Sequence, residues 1–168
     1  MMKQLLFFLG FFLMTGSLHA QVEPVKTDLL SGTPQYVRYG QTPNAFRLAA
    51  EGKAAALCVS SRDWEGVICA AGDLAHDIHE VSGATPRLLR SDSPVPGSVV
   101  IGTIGHSPLI DKMVEEGRLD VSAVKGKWES FLIQTVDGSL VVAGSDKRGT
   151  IYAIYDISEK IGVSPWYW

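Results

Sequence analysis

Apolar residues fall along this chain in three patterns. The first is an unbroken block, LLFFLGFFLM, from Leu5 to Met14. The second is a set of short continuous runs, Ala54 to Ser60, Ser98 to Gly102 and Leu140 to Ala143. Runs of that length, bounded by turn residues, mark strands buried on both faces. The third is helical spacing. At about 100° per residue, Val67, Ala71, Leu74, Ile78 and Val81 share one face. Asp63 is placed to cap that helix, Trp64 opens it, and Gly83 with Pro86 just beyond closes it near Val81. Ser107 caps a second helix, Pro108 to about Glu116, stopped by Gly117. A third runs from about Lys147 to Ile161 and is closed by Gly162 and Pro165.

The remaining segments read as strands and turns. Gln35 to Tyr39 and Phe46 to Ala50 are short β-rich pieces, and Arg87 to Arg90 is a further candidate strand. Glu129 to Val136 alternates, then Asp137-Gly138 turns the chain into Leu140 to Ala143, which predicts a β-hairpin. The order is β-α-β-α-β-β-α. Continuous apolar strands between amphipathic helices predict an α/β domain with a mixed sheet. The third helix stands out. Ile151, Tyr152, Ala153, Ile154, Tyr155, Ile157 and Ile161 place apolar groups nearly all round it, which predicts burial on all sides.

The first block changes the picture of where the domain starts. Lys3 precedes it, and a small-residue stretch ends at Leu18-His19-Ala20. That is the pattern of a secretory signal peptide cleaved after Ala20, with a secreted or periplasmic product. The block is shorter than the ~20 residues of a membrane span. Residues 21–34 read as a linker and 35–162 as one α/β domain. No membrane association is expected after cleavage. The full chain carries a net charge of −3, and loss of Lys3 makes the mature chain one unit more negative. With no basic block, nucleic acid and anionic membrane are poor candidates for partners.

Candidate chemistry is sparse. Two cysteines, Cys58 and Cys69, are too few for a closed zinc site. Cys69 sits about 160° from the apolar face of its helix, so a disulfide with Cys58 is not expected, and two buried thiols are. Asp73, His76, Asp77 and Glu80 have a spacing that can hold a cation, but they oppose Leu74, Ile78 and Val81 and read as a solvated face. Gly144 and Gly149 have the spacing of a phosphate-binding loop, but Thr150 stands where its lysine belongs. Gly102-Thr103-Ile104-Gly105 lacks the three-glycine dinucleotide fingerprint and reads as a tight turn. No cofactor and no metal is implied, and no catalytic residue can be assigned. Asp146 suits the positive end of the third helix, whereas Lys147 and Arg148 oppose it; they are either solvated or paired with Asp146, or answered by an anion from another domain or an acidic ligand. The sequence runs on to Pro165-Trp166-Tyr167-Trp168, an aromatic patch that wants a partner or else folds back to cover its own domain.

Three segments carry a resemblance. Trp128-Glu129-Ser130-Phe131, the stretch VAGSDKRGTIY from Val142 to Tyr152, and GVSPWYW from Gly162 to Trp168 resemble the N-terminal region of glycoside hydrolase family 115, the xylan α-1,2-glucuronidases. Asp73-Leu74 with Asp77, Val81-Ser82-Gly83 and Ile101 to Gly105 fit the same pattern. The resemblance runs from about Phe46 to Trp168. It departs at Ala153, where the family more often has Gly. It implies an enzyme that removes glucuronic acid, or its 4-O-methyl ether, from xylan. An α/β domain would precede a TIM barrel, and 163–168 would begin the bridge into it. The third helix and aromatic tail would pack on that barrel, the expected partner, with glucuronoxylan oligosaccharide bound by the full enzyme. The resemblance places the catalytic groups outside this chain. Asp146, Lys147, Arg148, Tyr152, Trp166 and Trp168 are the candidates for substrate or interface contact. The alternative is an autonomous carbohydrate-binding module, with Trp166 and Trp168 as a stacking platform, or an interaction module.

Overall fold

A computed structural model describes residues 35–40 and 42–163. The signal block, the 21–34 linker and residues 164–168, with Trp166 and Trp168, lie outside the described residues. The elements are β1 (Ala49–Ala50), β2 (Lys53–Ala54), β3 (Leu57–Val59), α1 (Glu65–Ser82), β4 (Leu88–Arg90), β5 (Val99–Thr103), α2 (Pro108–Glu115), β6 (Phe131–Val136), β7 (Ser139–Gly144) and α3 (Lys147–Lys160). Strands β1 and β2 form a small antiparallel hairpin; the other five form one sheet in the order β4-β3-β5-β7-β6. Strands β4, β3, β5 and β7 are parallel, and β6 is antiparallel to β7. The mixed sheet with helices is the expected class, and the candidate strand at Arg87 to Arg90 forms β4.

The central strands are apolar in sequence because helices or loops cover both sheet faces. Leu57, Val59, Val99, Ile101 and Val142 point into a core with α1 and α3. Cys58, Val100, Val141 and Ala143 point the other way, against α2 and the loop residues Leu119, Val121 and Val124. Each large side chain buried there contributes about 1.5–3 kcal/mol of transfer free energy. The β6–β7 turn is the expected tight one, with Asp137 and Gly138 both in left-handed backbone (φ 48° and 76°).

Four expectations are corrected. Gln35 to Tyr39 forms no strand, because no neighbouring strand pairs with it. It straps the end of α3 instead: Tyr36 Oη donates to Asp156 Oδ2 (2.7 Å), Tyr39 Oη to the Ile161 carbonyl (2.6 Å) and Gln35 Nε2 to the Lys160 carbonyl (3.2 Å). The run from Ala54 to Ser60 is split, since Ala54 pairs in the hairpin and only Leu57–Val59 lies in the sheet. Helix α3 is not apolar all round: Ala153, Ile154 and Ile157 are buried, but Tyr152 and Tyr155 are about half exposed (45% and 46%). The Tyr155 phenol donates to Asp73 Oδ2 on α1 (2.8 Å), and partial burial with that bond pushes its pKa up to about 12. The two tyrosines mimic an apolar stripe in sequence, yet their hydroxyls take them to the wet side of the helix. Finally, both cysteines are free, but only Cys58 is buried; Cys69 is exposed, as its helical angle dictates. Burial pushes the Cys58 thiol pKa up.

The helix caps define the two ends of the sheet. Helices α1, α2 and α3 begin just beyond β3, β5 and β7, so three positive helix ends converge at the carboxyl edge of the parallel strands. Among the described residues no helix is long and apolar enough to cross a membrane.

Candidate functional site

In open α/β sheets, ligands settle outside the carboxyl ends of the strands, where successive connections leave in opposite directions. Here that point lies between β3 and β5: β4 pairs on one side of β3 and β5 on the other. Asp63 builds the local structure. Its carboxylate is buried (6% exposed) and accepts from the Trp64 amide (2.7 Å, Oδ1) and the Thr103 amide (2.8 Å, Oδ2). It therefore ties the loop after β3 to the end of β5. Trp64 becomes the N-cap of α1, one residue later than the sequence suggests, and Asp63 is spent on the cross-link. The Trp64 indole, 44% exposed, stacks on the His106 ring with centroids 3.9 Å apart and planes 8° from parallel. At the rim, Arg62 Nε pairs with Asp92 Oδ2 at 3.1 Å.

The glycine-rich segment lies at the same edge, and its glycines serve packing. A Cβ on Gly144 would meet the backbone N and Cα of Thr150, and one on Gly149 would meet the Ser130 carbonyl oxygen. The first turn of α3 lies directly on β7, and the strand leading into β6 lies on the first turn of α3. Asp146 is the N-cap of α3: Oδ1 accepts from Gly149 N (2.8 Å) and Oδ2 from Glu129 N (2.9 Å). These two amides, Gly149 first, hold its pKa below the usual carboxylate range. The Arg148 guanidinium pairs with Glu129 Oε1 at 2.8 Å. Thr150 Oγ1 bonds to Thr103 Oγ1 (2.9 Å) and to the Asp146 carbonyl (2.9 Å). Within the loop, the Gly149 amide is committed to the Asp146 carboxylate and the Ser145 amide to the Ser130 carbonyl.

The sequence candidates divide. Asp146 and Arg148 come together with Glu129 in one lock. Lys147 lies apart, its Cε about 3.0 Å from where a Gly66 Cβ would stand, over the first turn of α1. Among the described residues it makes no ion pair. Tyr152 sits on the outer face of α3, one turn after Arg148. Trp166 and Trp168 lie outside the described residues. An anion beside Arg148 is supplied by Glu129, whose pairing no local pattern shows because it lies 19 residues away. Asp63, Trp64 and His106 were invisible as a group for the same reason. Four carboxylates at this edge are engaged: Asp63 and Asp146 by backbone amides, Asp92 and Glu129 by guanidinium groups. Among the described residues no three His, Cys, Asp or Glu side chains gather as a metal site would need, and the Asp73–Glu80 stripe is mostly exposed.

The Asp146 cap has a pH signature. A carboxylate whose folded pKa is depressed contributes stability that is present above its unfolded pKa, near 3.9, and is lost as pH falls through the folded value. Replacing Asp146→Ala is expected to cost about 1–2 kcal/mol at neutral pH. The gap between variant and parent in thermal melts should shrink progressively once the pH drops below about 4.

The chain matches no protein-family model and no curated protein. Among solved structures it is similar to a family GH115 4-O-methyl-α-glucuronidase with specificity for decorated arabinogalactans. The two share 37% sequence identity with a TM-score of 0.59, over 70% of this chain and 14% of that one. This chain is therefore related to glycoside hydrolase family 115 and spans 14% of the length of the relative it matches.

Proposed function

We propose that this chain is the N-terminal α/β domain of an exported glycoside hydrolase that releases glucuronic acid, or its 4-O-methyl ether, from plant polysaccharide side chains. The observation that carries the reading is the relation at 37% identity to an enzyme of that kind. Residues 163–168 begin the bridge to a barrel domain that holds the reacting groups, and hydrolysis there proceeds with inversion, a water standing between two groups that flank the bond. This chain supplies neither group. Four of its edge carboxylates, Asp63, Asp92, Asp146 and Glu129, are held by amides and guanidinium groups. Its task is architectural: Asp146, Arg148 and Glu129 lock the start of α3, the last element before the bridge.

Xylan is the substrate implied by the sequence resemblance. The related enzyme's specificity for decorated arabinogalactans favours a second substrate, so both polymers belong in the assay. The purified 168-residue chain, incubated with glucuronoxylan and with glucuronidated arabinogalactan, is expected to release no uronic acid from either. Chromatographic detection of the free acid, at a rate proportional to protein, would overturn the assignment of catalysis to a further domain. Tight binding of either polymer by the chain alone would instead favour the carbohydrate-binding module.

A further inference from the structure

The two edges of the sheet differ in how they are guarded. Strand β4 is 3 residues long, follows Pro86 closely, has Arg87 beside it and ends in Arg90. Short length, charge and proline are the usual devices that stop one sheet from adding to another. Strand β6 is the other edge. It is 6 residues long, reads FLIQTV, and has neither a charge nor a proline.

The ladder fixes which groups of β6 face outward. Leu140 N donates to the Ser98 carbonyl, and the Gly144 carbonyl accepts from Ile104 N, so Leu140, Val142 and Gly144 turn their backbone toward β5. Ser139, Val141 and Ala143 then face β6, opposite Val136, Gln134 and Leu132. Backbone groups alternate along a strand, which leaves the N–H and C=O of Phe131, Ile133 and Thr135 on the open side. Among the described residues, no backbone hydrogen bond from another segment reaches these groups. Phe131 and Ile133 pack partly on the core shared with α3, while Gln134 and Thr135 are exposed. The strand is thus held along one edge and bare along the other.

The outward groups suit a strand, and the sequence suits β6 itself. When two copies meet antiparallel about a twofold axis at Ile133, that residue stands opposite its mate, Phe131 opposite Thr135 and Leu132 opposite Gln134. Every outward N–H and C=O then exchanges bonds with its opposite number. An aromatic ring meets a β-branched residue, Ile meets Ile, and no like charges oppose within the strand. Just beyond the strand ends Glu129 would face Asp137, but each is already neutralised in its own chain, by Arg148 (2.8 Å) and Arg118 (2.7 Å).

We propose that β6 is an association edge for a second copy of this chain, joined antiparallel at Ile133 so that the two sheets become one. The contact is isologous, each copy giving the same strand. Edge pairing buries little area, so the dimer is weak and forms as concentration rises. The inference is independent of the family reading, since it concerns only this edge.

The test is sedimentation of the full chain from ~1 μM to ~1 mM. The expected result is a monomer at the low end and a dimer at the high end. Thr135→Pro removes one outward N–H and no bond of the β6–β7 ladder. It should abolish the dimer and leave the dilute monomer folded, as read by circular dichroism. Thr135→Lys keeps that N–H and adds the charge that guards natural edges, and it should weaken association several-fold by a route that spares the backbone. Cysteine reads the register. In a Cys69→Ser background, Ile133→Cys should cross-link to its mate on oxidation, since paired Cα atoms at such positions lie about 5.5 Å apart. Thr135→Cys, which stands opposite Phe131, should not. A chain that stays monomeric throughout would overturn the proposal and leave the edge to a strand of another kind. So would a dimer that both Thr135 variants leave unchanged, or one in which Thr135→Cys cross-links as readily as Ile133→Cys. None of these outcomes bears on the relation to family 115.

Discussion

Gly144→Ala is expected to lose about 3 kcal/mol of stability, a fall in Tm of roughly 10 °C for a domain of this size. The reason is geometric. Gly144 is the last residue of β7, paired with Thr103 on β5, and its carbonyl accepts from Ile104 N at 2.9 Å. A Cβ there meets backbone atoms of Thr150, and backbone cannot swing aside as a side-chain tip can. Relief requires moving α3 off β7, which strains the Thr150–Thr103 hydroxyl bond and the Asp146 cap together. Gly72→Ala is the matched control. It sits inside α1 with nothing within 4 Å of the added methyl, so it should stabilise by about 0.5–1 kcal/mol through helix propensity. Thermal and urea melts of the two variants should move in opposite directions. Equal small effects would mean that the contact between β7 and α3 is looser than described.

Asp63→Ala should cost about 2–3 kcal/mol, because the change strands the buried Thr103 N–H as well as the Trp64 N–H. Thr103 is 2% exposed, so water cannot replace the lost oxygen without opening the sheet edge. Asp63→Asn is a sharper probe than alanine. The carboxylate uses both oxygens as acceptors, whereas an amide offers one acceptor and one donor, and the donor would face an N–H. Asparagine should therefore recover only part of the loss. Hydrogen exchange at the Thr103 amide, slow in the parent, should accelerate in both variants. Full rescue by asparagine would show that only one of the two bonds matters.

These two residues show how far the sequence was legible. The spacing of Gly144 and Gly149 is visible in the sequence and resembles a phosphate loop. The absent lysine at Thr150 was enough to reject that chemistry. What the spacing is for, close approach of α3 to β7 and of Ser130 to α3, depends on elements that meet only in the folded chain. Asp63 reads as the cap of α1 in sequence because capping is local, but the cap is Trp64 and the Asp63 carboxylate serves the Trp64 and Thr103 amides. Its bond to Thr103 spans 40 residues and leaves no trace in any local pattern.

The same division runs through the fold. Helices α1 and α2, the β6–β7 hairpin and the buried strands were legible because periodicity and turn chemistry act over a few residues. Residues 35–40 misled because β propensity describes fitness for a sheet, and no sheet edge reaches them. The apolar stripe of α3 was overdrawn because Tyr152 and Tyr155 count as apolar in a wheel yet keep their hydroxyls in water. The stack of Trp64 on His106 had no sequence signal at all. It arises because the Asp63 link brings the loop after β3 beside the turn after β5.

The most direct test of the central claim, that this is the first domain of a larger glucuronidase, is to read the coding sequence beyond the codon for Trp168. The account predicts an open frame that continues for several hundred residues with the alternating strand and helix pattern of a barrel. A stop codon directly after Trp168 would contradict it and leave a stand-alone module, whose binding partners would then be the question.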